Sequence, residues 1–135
     1  MVIRRLVADL DMPVEVVVAP TVRDPDGMAM SSRNAYLSDS DRARGLCLVD
    51  ALIRAQELFE GGEHRAEALE AEMTSVLTTG LGAPPQYACV VEPLRLSRPE
   101  RAEAGHVALV AGELGPTRLI DNHVLGATIG PFARG

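Results

Sequence analysis

Aromatic residues are scarce in this chain of 135 residues. Tryptophan is absent and aromatics total 3%, so a core has to come from aliphatic side chains, for which an apolar share of 47% is sufficient. Positive charge is short as well. A net charge of −6 argues against a nucleic-acid surface, because binding the phosphate backbone draws on clustered cations, and Arg4-Arg5 with the dispersed arginines makes no such stripe. No apolar run approaches the roughly 20 residues of a membrane-spanning helix, and the N-terminus lacks a signal-peptide pattern. Cysteine is limited to Cys47 and Cys89, which fit no metal-ligand spacing. Their apolar surroundings predict buried, reduced thiols and a cytoplasmic protein. The three histidines are scattered: His64 at a helix start and expected on the surface, His106 opening a strand, His123 near the end. They make no metal set, and no serine joins a histidine and an acid in a triad pattern.

What is present has the size of one domain. Apolar positions 2, 3, 6, 7 and 10 form a helical stripe that Pro13 ends, and Val14-Glu15-Val16-Val17-Val18 reads as a buried strand. Ser38-Asp39-Ser40-Asp41 sets a capping serine three residues before an acid, a helix start. Leu46, Val49, Leu52, Ile53 and Phe59 then give an apolar face over a helix at 39–60, closed by Gly61-Gly62. A second helix over 64–79 carries Ala66, Leu69, Met73, Val76 and Leu77, with Glu63, Glu67, Glu70 and Glu72 on a solvated face, and Gly80, Gly82 and Pro84-Pro85 stop it. Strands are expected at 86–92, 105–113 and 117–125, with a loop or short helical turn over 94–104. The fold class is α+β, two helices packed on a three-stranded antiparallel sheet.

The chemistry concentrates in Asp26-Gly27-Met28-Ala29-Met30-Ser31-Ser32-Arg33-Asn34-Ala35-Tyr36-Leu37. Asp26-Gly27 is a turn dipeptide. Ser31 and Ser32 offer adjacent hydroxyls and backbone N–H groups to phosphate oxygens, and Arg33 adds a planar, permanently charged fork. Attack on the α-phosphorus of a nucleotide gathers negative charge on the equatorial oxygens and the leaving pyrophosphate, and preorganised donors there stabilise the transition state. A loop can carry them because it can close and exclude water. Taken alone, Ser31-Ser32-Arg33-Asn34 also reads as a polar turn before a helix, and four residues do not separate the two readings.

The longer pattern separates them. Met30-Ser31-Ser32-Arg33 resembles a degenerate KMSKS signature of adenylate-forming nucleotidyl transferases. With Pro20-Thr21-Val22-Arg23-Asp24-Pro25-Asp26-Gly27 before it and Asn34 and Tyr36-Leu37 after it, the segment resembles the pantothenate synthetase family, the pantoate–β-alanine ligases. Gly115-Pro116-Thr117-Arg118-Leu119-Ile120-Asp121-Asn122 resembles that family's closing strand motif, so the likeness spans nearly the whole chain. Within that motif, Arg118 and Asp121 are expected to fasten the last strand to the helices, an interdomain contact being the sharper option.

The resemblance implies a two-domain parent, homodimeric, with the signature loop at the start of its second domain. The family's His-x-Gly-His motif of the first domain occurs nowhere in these 135 residues. Residues 1–19 are therefore expected to be the terminal helix–strand piece of a Rossmann-like nucleotide-binding domain, 20–38 the signature loop and hinge, and 39–135 a C-terminal lid domain. The implied reaction condenses pantoate with ATP to pantoyl adenylate and pyrophosphate, after which β-alanine displaces AMP. ATP is the implied cofactor, with Mg2+ arriving on the triphosphate and no metal site in the protein. Met30, Ser31, Ser32 and Arg33 match the ATP-binding signature, Ser31, Ser32 and Arg33 acting as phosphate and transition-state stabilisers. Val22 matches a position near the adenine. The pantoate pocket and the histidines that handle the reacting phosphate belong to the family's first domain, so this polypeptide alone is expected to be inactive. Its loop, 27–34, is expected to be exposed and mobile. No nucleic acid or membrane partner is expected. Two readings stay open beside this one: a fragment of another KMSKS-type enzyme, such as an aminoacyl-tRNA synthetase, and a truncated, non-catalytic module.

Overall fold

Ser38 starts the helical half. Its hydroxyl accepts the Asp41 N–H at 3.1 Å and donates to the Asp41 carboxylate at 2.9 Å, satisfying donors that the first turn of a helix leaves open. The computed structural model describes residues 1–130. Along them run α1 (Val2–Asp9), a 3-10 helix (Ser32–Tyr36), α2 (Asp39–Gly45), α3 (Cys47–Glu60), α4 (Ala66–Leu81), β1 (Tyr87–Val91), β2 (Val107–Leu114) and β3 (Thr117–Val124). The architecture is α+β, as the sequence predicts, although residues 131–135 of the expected lid lie outside the described residues.

The single helix expected over 39–60 is two, interrupted at Leu46. Gly45 is buried there, and a Cβ on it would meet Met28 Cε at 3.0 Å and Leu119 Cδ1 at 3.1 Å. The residue that lets these side chains approach is also a poor helix former. Beyond the break, α3 buries Cys47, Leu48, Ala51, Leu52 and Ala55 against Leu69, Met73, Leu77 and Leu81 of α4. No side chain caps the start of α4. Residues of the 94–104 segment do that work, with Ala66 N–H bonded to the Glu100 carbonyl and Ala102 N–H to the His64 carbonyl.

The sheet has the order β1-β2-β3, antiparallel throughout. Its inner face sets Val90, Ala108, Val110, Leu114 and Leu119 against the helices, and Gly112 leaves the space that Leu81 fills. The free edge of β1 is blunted by Glu70, whose carboxylate accepts the Val90 N–H at 2.9 Å and pairs with Arg98 at 3.0 Å. Glu70 is thus half-buried and leaves the solvated face the sequence assigned to it, because an edge N–H needs an acceptor.

The helix at the N-terminus forms as expected, but two more expectations fail, the strand at 14–18 and the burial of Cys89. The run 14–18 forms no strand; it is extended, with Val17 81% exposed, because a strand holds only where a neighbour takes its N–H and C=O groups. No residue of α1 is buried, and Val2, Ile3, Leu6 and Leu10 of its apolar stripe face solvent. Cys47 is buried as expected, but Cys89 lies on the outer face of the sheet and is half-buried.

Candidate functional site

The signature loop begins as a small hairpin. Met30 N–H returns to the Val22 carbonyl and Asp24 N–H to the Met28 carbonyl, each at 2.9 Å, with Arg23 bridged to Ala29. Gly27 turns the chain at φ 96°, in the left-handed region that favours glycine. Asp26 accepts the Met28 N–H at 3.1 Å. Arg42, on α2, then grips both Asp24 and Asp26 at 2.8 Å. Partial burial works against charging Asp26, but the Met28 N–H and Arg42 outweigh it and hold its carboxyl below the usual range.

The hairpin is bolted to the sheet by two side chains. Arg23 forms a two-toothed ion pair with Asp121 of β3, at 2.6 and 2.9 Å. Met28 inserts beside Gly45 and Leu119 as an apolar plug. The expectation that 27–34 is exposed throughout therefore fails at its front, where Gly27 and Met28 are buried. Asp121 also departs from its expected partner: it fastens the last strand to the loop rather than to the helices. Arg118, exposed, donates to the Gln86 side chain at 2.6 Å instead.

Past Met28 the chain turns outward. Met30, Ser31, Ser32 and Arg33 are exposed. Ser31 Oγ accepts the Arg33 N–H at 3.2 Å, and Asn34 donates its amide to the Ala29 carbonyl at 3.0 Å, so side chains within the segment set its shape. A cavity of about 240 Å³ lies between this turn, α3 and β3, and Met30, Ser31, Arg33 and Asn34 line it together with Asn122. Of the residues picked from sequence, the structure gathers Met30, Ser31 and Arg33 there, while Ser32 and Val22 stand outside it. Among the described residues, the Arg33 guanidinium has no hydrogen-bonded acceptor. Asp24, Asp26 and Asp121 are all paired with other arginines. Acids that would otherwise repel an anionic ligand are thereby neutralised, and Arg33 is left with its charge available.

Arg23, Met28, Arg42 and Asp121 support this site, and sequence reasoning did not assign them that role. One signal was there to use: Asp121 falls on the inward-facing register of an alternating strand. The histidines lie elsewhere. His123 is buried, Nε2 3.3 Å from Gln56 Oε1. His64 is half-buried edge-on to Phe59 at 4.8 Å rather than on the surface, and His106 accepts the Glu103 N–H. Among the described residues, no three His, Cys, Asp or Glu side chains gather as a metal set.

The sequence model of the pantoate–β-alanine ligases matches residues 1–124. The chain belongs to that family. Among other members of the pantoate–β-alanine ligase family, the pantothenate synthetase of Roseiflexus castenholzii is 42% identical over 127 residues, which are 94% of this chain and 46% of that protein. The bifunctional pantoate ligase/cytidylate kinase of Gloeobacter violaceus is 46% identical over 126 residues, 93% of this chain and 24% of that one. A crystal structure of the pantothenate synthetase of Thermus thermophilus shares the fold with a TM-score of 0.82 at 41% identity, covering 91% of this chain and 44% of that one. The chain thus spans less than half the length of these ligases.

Proposed function

We propose that this chain is the C-terminal, ATP-binding part of a cytoplasmic, homodimeric pantothenate synthetase, which condenses pantoate and β-alanine through a pantoyl adenylate. In this reading residues 1–19 end a Rossmann-like nucleotide-binding domain, 20–38 are the signature loop and hinge, and 39–135 form the lid. One observation carries it: in a chain that matches the ligase family over 1–124, Ser31 and Arg33 stand at the rim of one cavity, on a loop whose base is fastened to the sheet. The unpaired run 14–18 and the exposed stripe of α1 support a missing neighbour, as do Ile120 and Val124 on the outer face of the sheet.

In the reaction, Ser31 and Ser32 donate hydrogen bonds to the triphosphate and Arg33 offsets the charge that builds on the leaving pyrophosphate. Val22 and Met30 lie against the nucleoside. Mg2+ arriving on the triphosphate would supply charge neutralisation there. Groups that place pantoate and the α-phosphate lie in the part of the relatives that this chain does not span. Positioning supplies much of the rate in such sites, so the polypeptide alone is inactive.

The test joins this chain to the remaining part of the Roseiflexus castenholzii relative and measures pyrophosphate release with ATP, Mg2+ and pantoate. Turnover by the chimaera and none by the chain alone is expected. A folded chimaera without turnover overturns the ligase reading, and turnover by the chain alone overturns its assignment as a partial site.

A further inference from the structure

Bonds to Asp121 and to two backbone carbonyls hold the Arg23 guanidinium. Nη1 donates to Asp121 Oδ2 at 2.6 Å and to the Gly27 carbonyl at 3.0 Å. Nη2 donates to Asp121 Oδ1 at 2.9 Å and to the Asn122 carbonyl at 3.3 Å. The two side chains are only 12% and 3% exposed, and 98 positions of sequence separate them. A planar fork meeting a carboxylate fixes an angle as well as a distance.

Both ends of this link are significant. Asp121 stands opposite Val110 on the inward face of β3, between Leu119 and His123, so it is anchored in the buried face of the sheet. Arg23 lies in the hairpin arm that bridges Ala29, and Met30 N–H returns to Val22 beside it. The pose of Met30 and Ser31 is therefore set within two residues of the clamp. Stability alone does not call for a charge pair here, since well-packed apolar residues of similar volume often replace buried pairs at no cost or with a gain. In some proteins a buried pair of this kind serves instead to fix one arrangement among several.

We propose that Arg23 and Asp121 are a positioning pair: they lock the signature loop to β3 in the pose that presents Ser31 and Arg33 to the phosphates of a nucleotide. Arg23 touches no reacting atom in this scheme, because its terminal nitrogens are engaged by protein acceptors. The proposal rests on the reading of Ser31 and Arg33 as phosphate donors.

The test compares the intact chain with Arg23→Lys, which keeps the charge and loses the fork, with Asp121→Asn, and with the apolar pair Arg23→Met/Asp121→Leu. Amide hydrogen exchange is read over 27–34 and over α3, α4 and β2, and MgATP is titrated while the Ser31–Arg33 amides are followed by NMR. In the apolar pair we expect a denaturation midpoint no lower than wild type, loop exchange faster by about tenfold, and helix and sheet exchange within about threefold. Arg23→Lys falls between. If the apolar pair does not fold, the two single variants decide by the same comparison. Unchanged loop exchange in a folded variant overturns the proposal, and so does a uniform rise across the whole chain, which would mark a purely structural pair. An undiminished MgATP response from a loosened loop overturns it too. A wild-type chain with no MgATP response at the Ser31–Arg33 amides counts against the nucleotide reading alone, and the exchange data still decide the clamp.

Discussion

Cys47 occupies the space that Gly80 leaves by having no side chain. A Cβ built on Gly80 would overlap the Cβ of Cys47 and lie 2.8 Å from its Sγ, so the start of α3 and the end of α4 meet almost backbone to side chain. Close packing of this kind does not yield to an added methyl group without moving a helix.

Gly80→Ala should therefore destabilise the protein. Overpacking of about 1–3 kcal/mol outweighs a helix-propensity gain of about 1 kcal/mol. Cys47→Ala should not restore the loss, because the overlap involves Cβ itself. Urea unfolding of the single and double variants checks this; a Gly80→Ala protein as stable as wild type would contradict the packing account.

The two thiols should separate by reactivity. Burial pushes the Cys47 thiol up to about 11, with Asp50 adding to the rise, and burial also raises Cys89, though that residue is only half-buried. Thiolate is the reactive form. Alkylation of the native chain near neutral pH should label Cys89 first and Cys47 only on unfolding, as read by peptide mass spectrometry. Equal labelling rates would refute the burial of Cys47.

His123 should make stability depend on pH. Burial pushes its imidazole below the ordinary value, and Arg23 lowers it further against opposing contributions from Ala127, Asp121 and Glu60. The unfolded chain then binds a proton that the folded chain resists, so stability rises with pH in this range. The contribution is fully present above about 6.5 and is lost as pH falls through the lowered folded value. Glu63, held at about 2 by Arg65, titrates well below that window. Unfolding free energies between pH 5 and 7.5 should show a slope in wild type that His123→Gln flattens; identical slopes would exclude His123 as the source.

In the chimaera, Arg33→Ala should slow adenylate formation more than it weakens ATP binding, with a barrier increase of about 2–4 kcal/mol. Single-turnover adenylation at saturating ATP measures it. A wild-type rate accompanied only by a raised dissociation constant would make Arg33 a binding residue and nothing more.

Local patterns made much of the fold legible. The Ser38 cap, the Ala66, Leu69, Met73 and Leu77 face of α4 and the three strands of the sheet are each written within a few neighbouring residues, and the structure follows them. The break at Leu46 was not legible, because it accompanies the approach of Met28 and Leu119 to Gly45 from distant parts of the chain. The run 14–18 misled for the converse reason: apolar composition favours a strand, but pairing belongs to two segments.

The sequence by itself determined the family and the α+β class and singled out Ser31, Ser32 and Arg33 as candidate phosphate donors, since turn chemistry, periodicity and side-chain donors are properties of short stretches. Only the tertiary structure decided how that loop is held. Arg23 finds Asp121 across 98 positions, Arg42 draws in Asp24 and Asp26, and Met28 drops into the core. Such contacts depend on where helices and strands come to rest, and no local pattern encodes a distance between segments that meet only once the chain has folded.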